Sequence, residues 1–394
     1  MSAAPRGPLV GIPLLEDLPP IGGKQVLVRV DFNVPLRHGE DGGEAVVEDD
    51  FRIRAALPTI QWLLSRDAIV TTCTHLGRPK GAVDARYDVA PVRACLAELA
   101  PGVALLDNLR FDPGEEANSP AFTDRLVDGF DCYVNDAFGA SHRAHASIVG
   151  PPARLPSAAG ILLEREVEKL GRLMVRPARP FVAVVGGAKV ADKLGVLRAL
   201  LERVDRLVVG GAMAYTFLAA LGHKTGASLV DEAHREDCAA LLVEAGERIV
   251  LPSDVVVLGP GGTIGDPGSG EVKVVGTDIP AGWEGVDMGP DTIRTFAAVI
   301  AGAATVFWNG PVGAFEDPRF EVGTRAVADA VAECPGFTVA GGGDSVSAID
   351  HLGLAGRIGF VSTGGGASLE LLEHGDLPGL KALRSAPNAP AKGR

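Results

Sequence analysis

Short apolar runs rich in valine alternate with helical patterns along almost the whole chain. In the first half the predicted strands are Gln25–Val30, Ala68–Cys73, Val103–Leu106 and Asp131–Asn135, separated by helical patterns such as Ile53–Leu64 and Val89–Leu99. The pattern restarts at Pro180, after which the predicted strands are Phe181–Val185, Arg206–Val209, Asp254–Leu258, Thr305–Trp308, Gly336–Val339 and Arg357–Phe360. Because such alternation is typical of βαβ units, it predicts parallel sheets with helices on both faces.

The restart of the pattern predicts two domains, and a length of 394 residues agrees because it exceeds what one core usually holds. The charged, amphipathic stretch 160–173 is interpreted as a connector between them, although an ordinary surface helix has the same pattern. The Gly/Pro/Ser-rich stretch 259–271 predicts a mobile surface loop. The last ten residues, 385–394, predict a disordered tail.

Composition and charge exclude several classes of protein. The net charge of −13 argues against a broad nucleic-acid-binding surface, because binding to a phosphate backbone needs a basic face. The sequence has neither an apolar run of the roughly 18 residues that span a membrane nor a signal-peptide pattern at its start. Its five cysteines never form a C-x-x-C pair, which argues against a disulfide framework and a zinc site. A reducing, cytoplasmic location is expected.

Cationic residues lie in the connections of the first half. In open parallel sheets, ligands bind beyond the carboxyl ends of the strands. Residues predicted near that edge are Arg52, His75, Arg78, Arg110, His142, Arg143 and His145. Like charges gathered at one edge repel, so the cluster calls for an anionic ligand, and the planar fork of arginine bonds phosphate or carboxylate through two contacts. The first half therefore predicts a site for a small polyanion.

Three polar residues near the start of the first half also have a simpler explanation. Asp31 and Asn33 follow the first strand and could bind hydroxyls of that ligand, but an Asx turn explains them equally well. Arg52 opens a helix, where the macrodipole disfavours a cation, but an ordinary surface arginine is the alternative.

Glycine runs follow five predicted strands of the second half, at 186–187, 210–211, 310–313, 341–343 and 364–366. At such junctions, bare backbone N–H groups and helix N-termini can face phosphate oxygens, so the five runs together predict a nucleotide site. Asp344 is placed to hold Mg²⁺ beside a phosphate, and a helix N-cap role is compatible with this. Glu316 could accept hydrogen bonds from ribose hydroxyls, with an ordinary surface carboxylate as the alternative.

The stretch VVGGAKVADK (184–193) is the least conventional of these junctions. Ala188 separates Gly187 from Lys189 and no Ser or Thr follows the lysine, so it is not a P-loop, and the spacing G-x-G-x-x-G is absent too. Lys189 and Lys193 are predicted to lie one turn apart on the same helix face, where both could serve one phosphate chain.

Eight stretches, in this order, resemble the motifs of the phosphoglycerate kinases. They are VLVRVDFNVP (26–35), THLGRP, NLRF, NDAFGASHRAHAS, GGAKVADK, WNGPVGAFE, GGGDS and STGGGASLELL. The resemblance implies two doubly wound, Rossmann-like parallel-sheet lobes joined by a hinge helix, with the C-terminal segment returning to the N-terminal lobe. The implied boundaries are 1–160 for a phosphoglycerate-binding domain, 161–178 for the hinge helix, 179–375 for a nucleotide-binding domain and 376–394 for the returning segment.

The resemblance also implies a reaction, its small-molecule partners and a monomeric state. The reaction is reversible, Mg²⁺-dependent phosphoryl transfer from 1,3-bisphosphoglycerate to ADP, which gives 3-phosphoglycerate and ATP. The implied catalytic residues are Arg52, Lys189, Gly365 and Gly366, assisted by Gly364. The implied phosphoglycerate ligands are Asp31, Phe32, Asn33, Arg52, His75, Leu76, Gly77, Arg78, Arg110, His142 and Arg143. The implied nucleotide ligands are Gly187, Ala188, Lys193, Gly211, Gly289, Asn309, Pro311, Glu316, Gly342, Gly343, Asp344 and Ser345, with Mg²⁺ on Asp344 and the nucleotide phosphates.

Two positions depart from the family pattern. Ser345 stands where threonine is usual and keeps the hydroxyl, while Ala212 stands where a third glycine is common and is tolerated unless φ is positive there.

Two other functions fit the fold class. A dinucleotide-binding dehydrogenase lacks its fingerprint here. An inactive binding protein would normally have lost a cation or the Mg²⁺ ligand, whereas Arg52, Lys189, Lys193 and Asp344 are all present.

Overall fold

The computed structural model describes residues 7–37 and 45–390 of the chain. The chain divides into two compact units: Met1–Gly171 together with His374–Arg394, and Arg172–Glu373. It passes from the first unit to the second inside the α-helix Ile161–Val175, so the boundary falls within the stretch interpreted above as a connector.

The first unit is built on a parallel sheet. Its strands are β1 (Gln25–Arg29), β2 (Leu36–Arg37), β3 (Val46–Val47), β4 (Ile69–Cys73), β5 (Ala104–Leu105), β6 (Cys132–Asn135) and β7 (Ser157–Ala159). Its helices are α1 (Phe51–Leu64), α2 (Ala90–Leu99), α3 (Pro113–Glu116), α4 (Pro120–Val127), α5 (Ala146–Val149) and the first part of α6 (Ile161–Val175). Strands β5, β4, β1, β6 and β7 pair in that order and all in parallel, which confirms the four predicted strands.

Strand β1 lies at the centre of this sheet. Its apolar residues are fully buried between layers of helices, and a run that is apolar on both faces is typical of a central parallel strand. Arg29 at its carboxyl end is level with Cys73 on β4 and with Asn135 on β6. The loops that leave these three strands therefore begin side by side at one edge of the sheet.

The second unit contains the larger sheet. The strands of this unit are β8 (Phe181–Val185), β9 (Arg206–Val209), β10 (Ile249–Val250), β11 (Asp254–Leu258), β12 (Val272–Gly276), β13 (Glu284–Met288), β14 (Thr305–Asn309), β15 (Phe337–Ala340) and β16 (Phe360–Val361). Its helices are α7 (Leu194–Leu201), α8 (Met213–Ala220), α9 (Arg235–Ala245), α10 (Pro290–Ala301), α11 (Val322–Glu333), α12 (Gly343–His351) and α13 (Gly366–His374). Strands β10, β9, β8, β14, β15 and β16 form a parallel sheet in that order.

One predicted strand of the second unit belongs to a different sheet. Strand β11 pairs antiparallel with β12 on one side and with β13 on the other, so the expectation that it continues the parallel sheet is wrong. The physical reason is local: a parallel neighbour needs a crossover connection, whereas β12 follows β11 after a turn-rich loop. The strand expected from Arg357 also begins later, because Arg357 ends a short 3-10 turn and β16 starts at Phe360.

The predicted surface loop 259–271 connects β11 to β12, and two side chains tie it down. Arg319 donates to the carbonyl oxygens of Thr263 at 2.9 Å and Ser269 at 2.8 Å. The buried carboxylate of Asp317 accepts from the backbone N–H of Gly265 at 2.8 Å. The loop is therefore anchored to the segment that directly follows Glu316.

The C-terminal segment packs on the first unit through helix α14 (Pro378–Leu383), where Gly379 N–H donates to the carbonyl of Ser141 at 2.9 Å. Beyond it, the Asn388 amide accepts from the N–H of Ser157 at 2.8 Å and donates to its carbonyl at 3.1 Å. The prediction of a disordered tail is therefore wrong for residues 385–390, because this amide pairs with strand β7 much as a neighbouring strand would. Residues 391–394 of the predicted tail lie outside the described residues.

Candidate active site

In the first unit, Asp31 and Arg52 form an ion pair at the carboxyl edge of the sheet. Arg52 is the second residue of α1 and donates through Nη1 to Oδ2 of Asp31 at 2.8 Å. Burial opposes ionisation of Asp31, yet Arg52 and Arg29 together bring the pKa of its carboxyl below the ordinary value. Asn33 N–H lies 3.4 Å from Asp31 Oδ1, so the Asx contact and the ion pair occur together.

The THLGRP loop after β4 is held by neighbouring loops. Asn33 Oδ1 accepts from the N–H of Gly77 at 2.9 Å, and Arg110 Nη1 donates to the carbonyl of the same glycine at 2.7 Å. Gly77 has φ of +59°, and a Cβ there would lie 2.2 Å from the ring of Tyr87, so another residue would not fit. Two predicted ligands, Asn33 and Arg110, thus also shape the loop that carries His75 and Arg78.

Phe32 and Leu76 cannot contact a ligand through their side chains. Both are buried, at 0% and 3% exposure. Their backbone N–H groups are also engaged, with Thr74 Oγ1 at 2.9 Å and Asn108 Oδ1 at 3.2 Å respectively. Their contribution to the site is to fix the backbone of the two loops.

Four of the predicted residues, Arg110, His142, Arg143 and His145, lie close enough to influence one another. Burial lowers the pKa of the Arg110 guanidinium, and the neighbouring charges of Arg29 and Arg143 act in the same direction. Burial together with Arg110, Arg29 and Arg143 lowers the pKa of His145 to about 4. Arg143 Nε donates to Nε2 of His142 at 3.2 Å. Arg78 and Arg143 are exposed, and within residues 7–37 and 45–390 neither pairs with an acidic side chain. This arrangement favours an anionic ligand.

His75 is in the cluster but is not one of its charges. Burial, followed by the charge of Arg29, lowers the pKa of its imidazole well below the ordinary 6.5. The expectation that His75 is one of the cationic residues is therefore wrong. An imidazole that is 8% exposed beside arginines holds a proton poorly, so His75 is neutral at neutral pH.

Arg29 belongs to this site although it was not among the predicted residues. It is fully buried, with Nη2 lying 3.1 Å from Nδ1 of His75 and Nε donating to Oγ of Ser147 at 2.9 Å. Ser147 in turn donates to the buried carboxylate of Glu115, from Oγ at 2.6 Å and from N–H at 2.8 Å. The available signal was a charged residue inside the apolar run VLVRV, which a purely structural strand would avoid.

In the second unit, all five glycine runs lie at junctions after the carboxyl ends of parallel strands, as predicted. The two lysines of VVGGAKVADK are arranged differently from the prediction. Lys189 lies in a non-helical stretch, Lys193 ends a 3-10 turn that begins at Ala191, and helix α7 starts only at Leu194. They do not share a helix face, because α7 begins only after both of them.

The ammonium group of Lys193 is held from two sides. It donates to Oδ1 of Asn309 at 2.7 Å and to the carbonyl of Gly186. Burial lowers the pKa of Lys193 to about 8, against the opposing charges of Asp344 and Asp192. Lys189, in contrast, is exposed. Lys193 is thus held in place by the protein, whereas Lys189 is exposed to solvent.

Asn309 connects this lysine to the loop after β15. It is 2% exposed, and its Nδ2 donates to the carbonyl of Gly341 at 2.6 Å. Ser345 Oγ accepts from Gly310 N–H at 2.5 Å and donates to Gly341 at 2.8 Å, so the serine that replaces the usual threonine makes full use of its hydroxyl. Both residues act as supports between loops, and neither points a free polar group outward.

Several glycines are required by close approach of backbones. A Cβ on Gly211, at φ of +67°, would lie 2.7 Å from Gly187 N and 2.9 Å from the carbonyl of Pro311. A Cβ on Gly342, at φ of +99°, would lie 2.3 Å from the Asn309 amide. Ala212 has φ of −61°, so the residue that stands where a glycine is common is unstrained.

The other predicted nucleotide residues differ in exposure. Glu316 and Asp344 are both exposed carboxylates, with Asp344 in the first turn of α12 after Gly342 and Gly343. Ala188 is also exposed, beside Lys189. Gly289 is the N-cap of α10, and a Cβ there would lie 2.2 Å from the carboxyl carbon of Asp254, so packing alone explains this glycine. Gly364, Gly365 and Gly366 lie at the start of α13, with Gly365 at φ of +52°.

A divalent cation fits Asp344 as part of a shared site. Within the described residues no group of three or more histidines, cysteines or carboxylates is arranged to hold a metal by itself. Mg²⁺ is commonly bound by one or two carboxylates together with substrate phosphates, and an exposed carboxylate directly after a glycine run at a strand–helix junction matches that pattern. In the described part of the chain, none of the helices is long and apolar enough to cross a membrane.

The chain is similar to known proteins in both sequence and structure. The family model described as Phosphoglycerate kinase matches residues 15–102 and 98–375. The phosphoglycerate kinase of Parafrankia sp. is 50% identical, covering 86% of this chain and 91% of that one. That of Thermomicrobium roseum is also 50% identical, with coverages of 91% and 96%. The solved phosphoglycerate kinase of Coxiella burnetii superposes with a TM-score of 0.84 at 37% identity and covers 94% of this chain and 98% of its own. With so much of the chain matched in both sequence and structure, this protein belongs to the phosphoglycerate kinase family.

Proposed function

We propose that the chain catalyses reversible phosphoryl transfer between the acyl phosphate of 1,3-bisphosphoglycerate and ADP. The observation that carries the proposal is that one chain contains two kinds of candidate site. The first unit has a cationic cluster at its sheet edge, and the second unit has five glycine junctions. The first suits a small polyanion, and the second suits the phosphates of a nucleotide.

The reaction requires no general base. The nucleophile is an ADP phosphate oxygen in one direction and a carboxylate in the other, and both are ionised at neutral pH. The protein must therefore position the reactants in line and offset the charge of the phosphoryl group in transfer. The candidate site contains fixed cations and backbone donors, which are the groups that such a reaction uses.

On the first unit, we assign the phosphate and carboxylate of phosphoglycerate to the exposed Arg78 and Arg143 and to the buried Arg110. Arg110 is restrained by Gly77 and by Glu116, which lies 3.2 Å from its Nε. Asn33 uses its oxygen on Gly77, which leaves its amide N–H₂ for a ligand hydroxyl. His142 and the loop backbones at Phe32 and Leu76 complete this half of the site.

On the second unit, we assign the nucleotide phosphates to Lys193 and to the backbone N–H groups near Gly187, Gly211 and Gly343, and the ribose to Glu316. Asp344 would hold Mg²⁺ together with nucleotide phosphate oxygens, and the ion, when bound, neutralises phosphate charge. Lys189 and Arg52 are assigned to the phosphoryl group in transfer. Lys189 suits this role because its ammonium group is exposed rather than fixed by the protein.

The reacting atoms must meet in a water-poor site, since water would otherwise accept the phosphoryl group. We propose that helix α6, through which the chain passes between the units, acts as a hinge for closure. Small-angle scattering of the purified protein should show a smaller radius of gyration with both substrates than with either one. An unchanged radius would argue against hinge closure.

A coupled assay that follows ATP consumption tests the activity. We expect ATP consumption to require both 3-phosphoglycerate and Mg²⁺. We also propose that the enzyme is a monomer and that it is located in the cytoplasm. ATP consumption that does not depend on 3-phosphoglycerate would indicate a different acceptor, and reduction of NAD without ATP consumption would indicate a dehydrogenase. No consumption, combined with measurable nucleotide binding, would indicate a binding protein without catalytic activity.

A further inference from the structure

A contact between two buried side chains in the first unit determines which nitrogen of His75 carries a proton. Nη2 of Arg29 lies 3.1 Å from Nδ1 of His75. Arginine has five N–H donors and no acceptor, and it stays protonated in proteins. Nδ1 of His75 must therefore offer its lone pair to Arg29, because a proton on both nitrogens of this contact would place two donors face to face.

The nearby carboxylate does not change this assignment. Asp31 Oδ1 lies 4.0 Å from Nδ1 of His75, which is too far for a hydrogen bond. Asp31 Oδ2 already accepts a hydrogen bond from Nη1 of Arg52 at 2.8 Å. The other titratable and charged groups around His75 are Arg29, Arg110 and His145, all of which disfavour a positive imidazole. The neutral ring with its proton on Nε2 is the form that satisfies the contact with Arg29.

Arg29 itself is held by a relay that ends in a buried acid. Its Nε donates to Ser147 Oγ at 2.9 Å, and Ser147 donates twice to Glu115, at 2.6 and 2.8 Å. All three side chains are fully buried, at 0% exposure. Tyr133 Oη donates to the carbonyl of Ser147 at 2.7 Å and fixes the serine backbone as well. A guanidinium held in this way cannot swing toward a ligand, so its use lies in what it orients.

The free nitrogen of His75 remains available. Within the described residues Nε2 has no hydrogen-bond partner, yet it is not among the fully buried polar atoms that lack one, so a ligand or solvent can reach it. We propose that Arg29, held by Ser147 and Glu115, is a positioning residue that fixes His75 as a neutral donor through Nε2–H to the bound phosphoglycerate. The donor part of this inference rests on the proposed function, whereas the tautomer does not.

The tautomer can be read directly in the purified full-length protein without substrate. Long-range ¹H–¹⁵N spectra distinguish the two neutral tautomers and the imidazolium, and His75→Gln identifies the His75 signals. We expect the Nε2–H pattern to stay unchanged between about pH 5.5 and about pH 8.5, although a free imidazole titrates near pH 6.5. A proton on Nδ1, or titration of His75 inside this range, would overturn the proposal whether or not the protein is active.

Two substitutions at His75 test its role as a donor. The side-chain amide of glutamine can occupy the position of Nε2, whereas that of asparagine reaches only the position of Nδ1. We therefore expect the rise in the KM for 3-phosphoglycerate to be several-fold smaller in His75→Gln than in His75→Asn. The KM for ATP should be unchanged in both variants. Equal effects of the two substitutions would contradict a donor at Nε2.

Ser147→Ala tests the positioning relay. Loss of the hydrogen bonds through Oγ should loosen Arg29, give His75 a mixture of tautomers and raise the KM for 3-phosphoglycerate about five- to tenfold. The control Ser119→Ala removes another serine of the same unit, the N-cap of α4, and should leave the His75 signals unchanged. Unaltered His75 signals in a folded Ser147→Ala protein would show that the relay does not position the ring. If that variant does not fold, the wild-type spectra still decide the tautomer.

Discussion

Nζ of Lys193 lies 2.7 Å from Oδ1 of Asn309, and the same asparagine donates to the carbonyl of Gly341 on the next strand's loop. Asn309 therefore sets the position of the lysine relative to two glycine loops. We predict that Asn309→Ala raises the KM for ADP about tenfold, because a hydrogen bond to a charged group contributes about 1.5–3 kcal/mol. Steady-state kinetics with ADP as the varied substrate measure this.

The control for Asn309→Ala is Asn388→Ala, since Asn388 also bridges two backbone groups but lies away from the candidate site. Asn388→Ala should lower thermal stability and leave the KM for ADP unchanged. A normal KM for ADP in Asn309→Ala would mean that Lys193 is held adequately by the Gly186 carbonyl alone.

Lys189 has an exposed ammonium group, unlike Lys193, which suits a group that acts when the phosphoryl group moves. We expect Lys189→Ala to lower kcat about 10²- to 10³-fold with little change in the KM for 3-phosphoglycerate. Lys224→Ala, which removes an exposed lysine elsewhere in the same unit, is the control. A large rise in that KM with kcat preserved would assign Lys189 to substrate binding.

Arg110 is expected to affect binding more than turnover. Its guanidinium is largely buried and is held by Gly77 and Glu116, which gives a ligand phosphate a preformed partner. Arg110→Ala should raise the KM for 3-phosphoglycerate roughly 10- to 100-fold with a smaller change in kcat. Arg93→Ala, which breaks an exposed ion pair in the same unit, should do neither. Intact substrate binding in Arg110→Ala would disprove its assigned role.

The stability of the first unit should depend on pH through Asp136. Its Oδ1 accepts from the N–H groups of Leu162 at 2.9 Å and Leu163 at 3.2 Å, at the start of α6. Burial raises the pKa of Asp136 to about 7, although these hydrogen bonds from backbone N–H groups oppose the rise. Between the ordinary carboxyl pKa of 3.8 and about 7 the folded state therefore binds more protons than the unfolded state, and stability falls as pH rises through this range.

Asp136→Asn removes this titration. We expect the free energy of unfolding of the wild type, minus that of Asp136→Asn, to decrease steadily from about pH 4.5 to about pH 8 in urea titrations. Asp124→Asn, at an exposed carboxylate of the same unit, is the control. A difference that increases with pH would mean that Asp136 is an ordinary ionised N-cap.

Much of the fold was predictable because its signals are local. The run FVAVV is buried at every position, and such a run bounded by turns predicts a central parallel strand. The glycine junctions were found for the same reason, since each follows its strand directly. The pairing of β11 was not predictable, because an apolar run does not state whether its partner is parallel or antiparallel.

The side-chain supports of the site were harder to find. The helical position of Lys189 was predicted wrongly, because the spacing of two lysines carries no information about where the helix begins. The neutral state of His75 and the burial of Arg29 depend on residues more than 40 positions away, Ser147 among them for Arg29. Sequence patterns identify which loops meet at a sheet edge, but burial decides which of their polar groups face a ligand.

The most direct test of the account follows phosphorus in the purified protein. In a ³¹P NMR time course with ATP, Mg²⁺ and 3-phosphoglycerate, we predict that an acyl phosphate signal and ADP appear together, and that both depend on Lys189. Release of inorganic phosphate from ATP without an acyl phosphate intermediate, or no change in a protein that still binds ATP, would contradict phosphoryl transfer as the function of this chain.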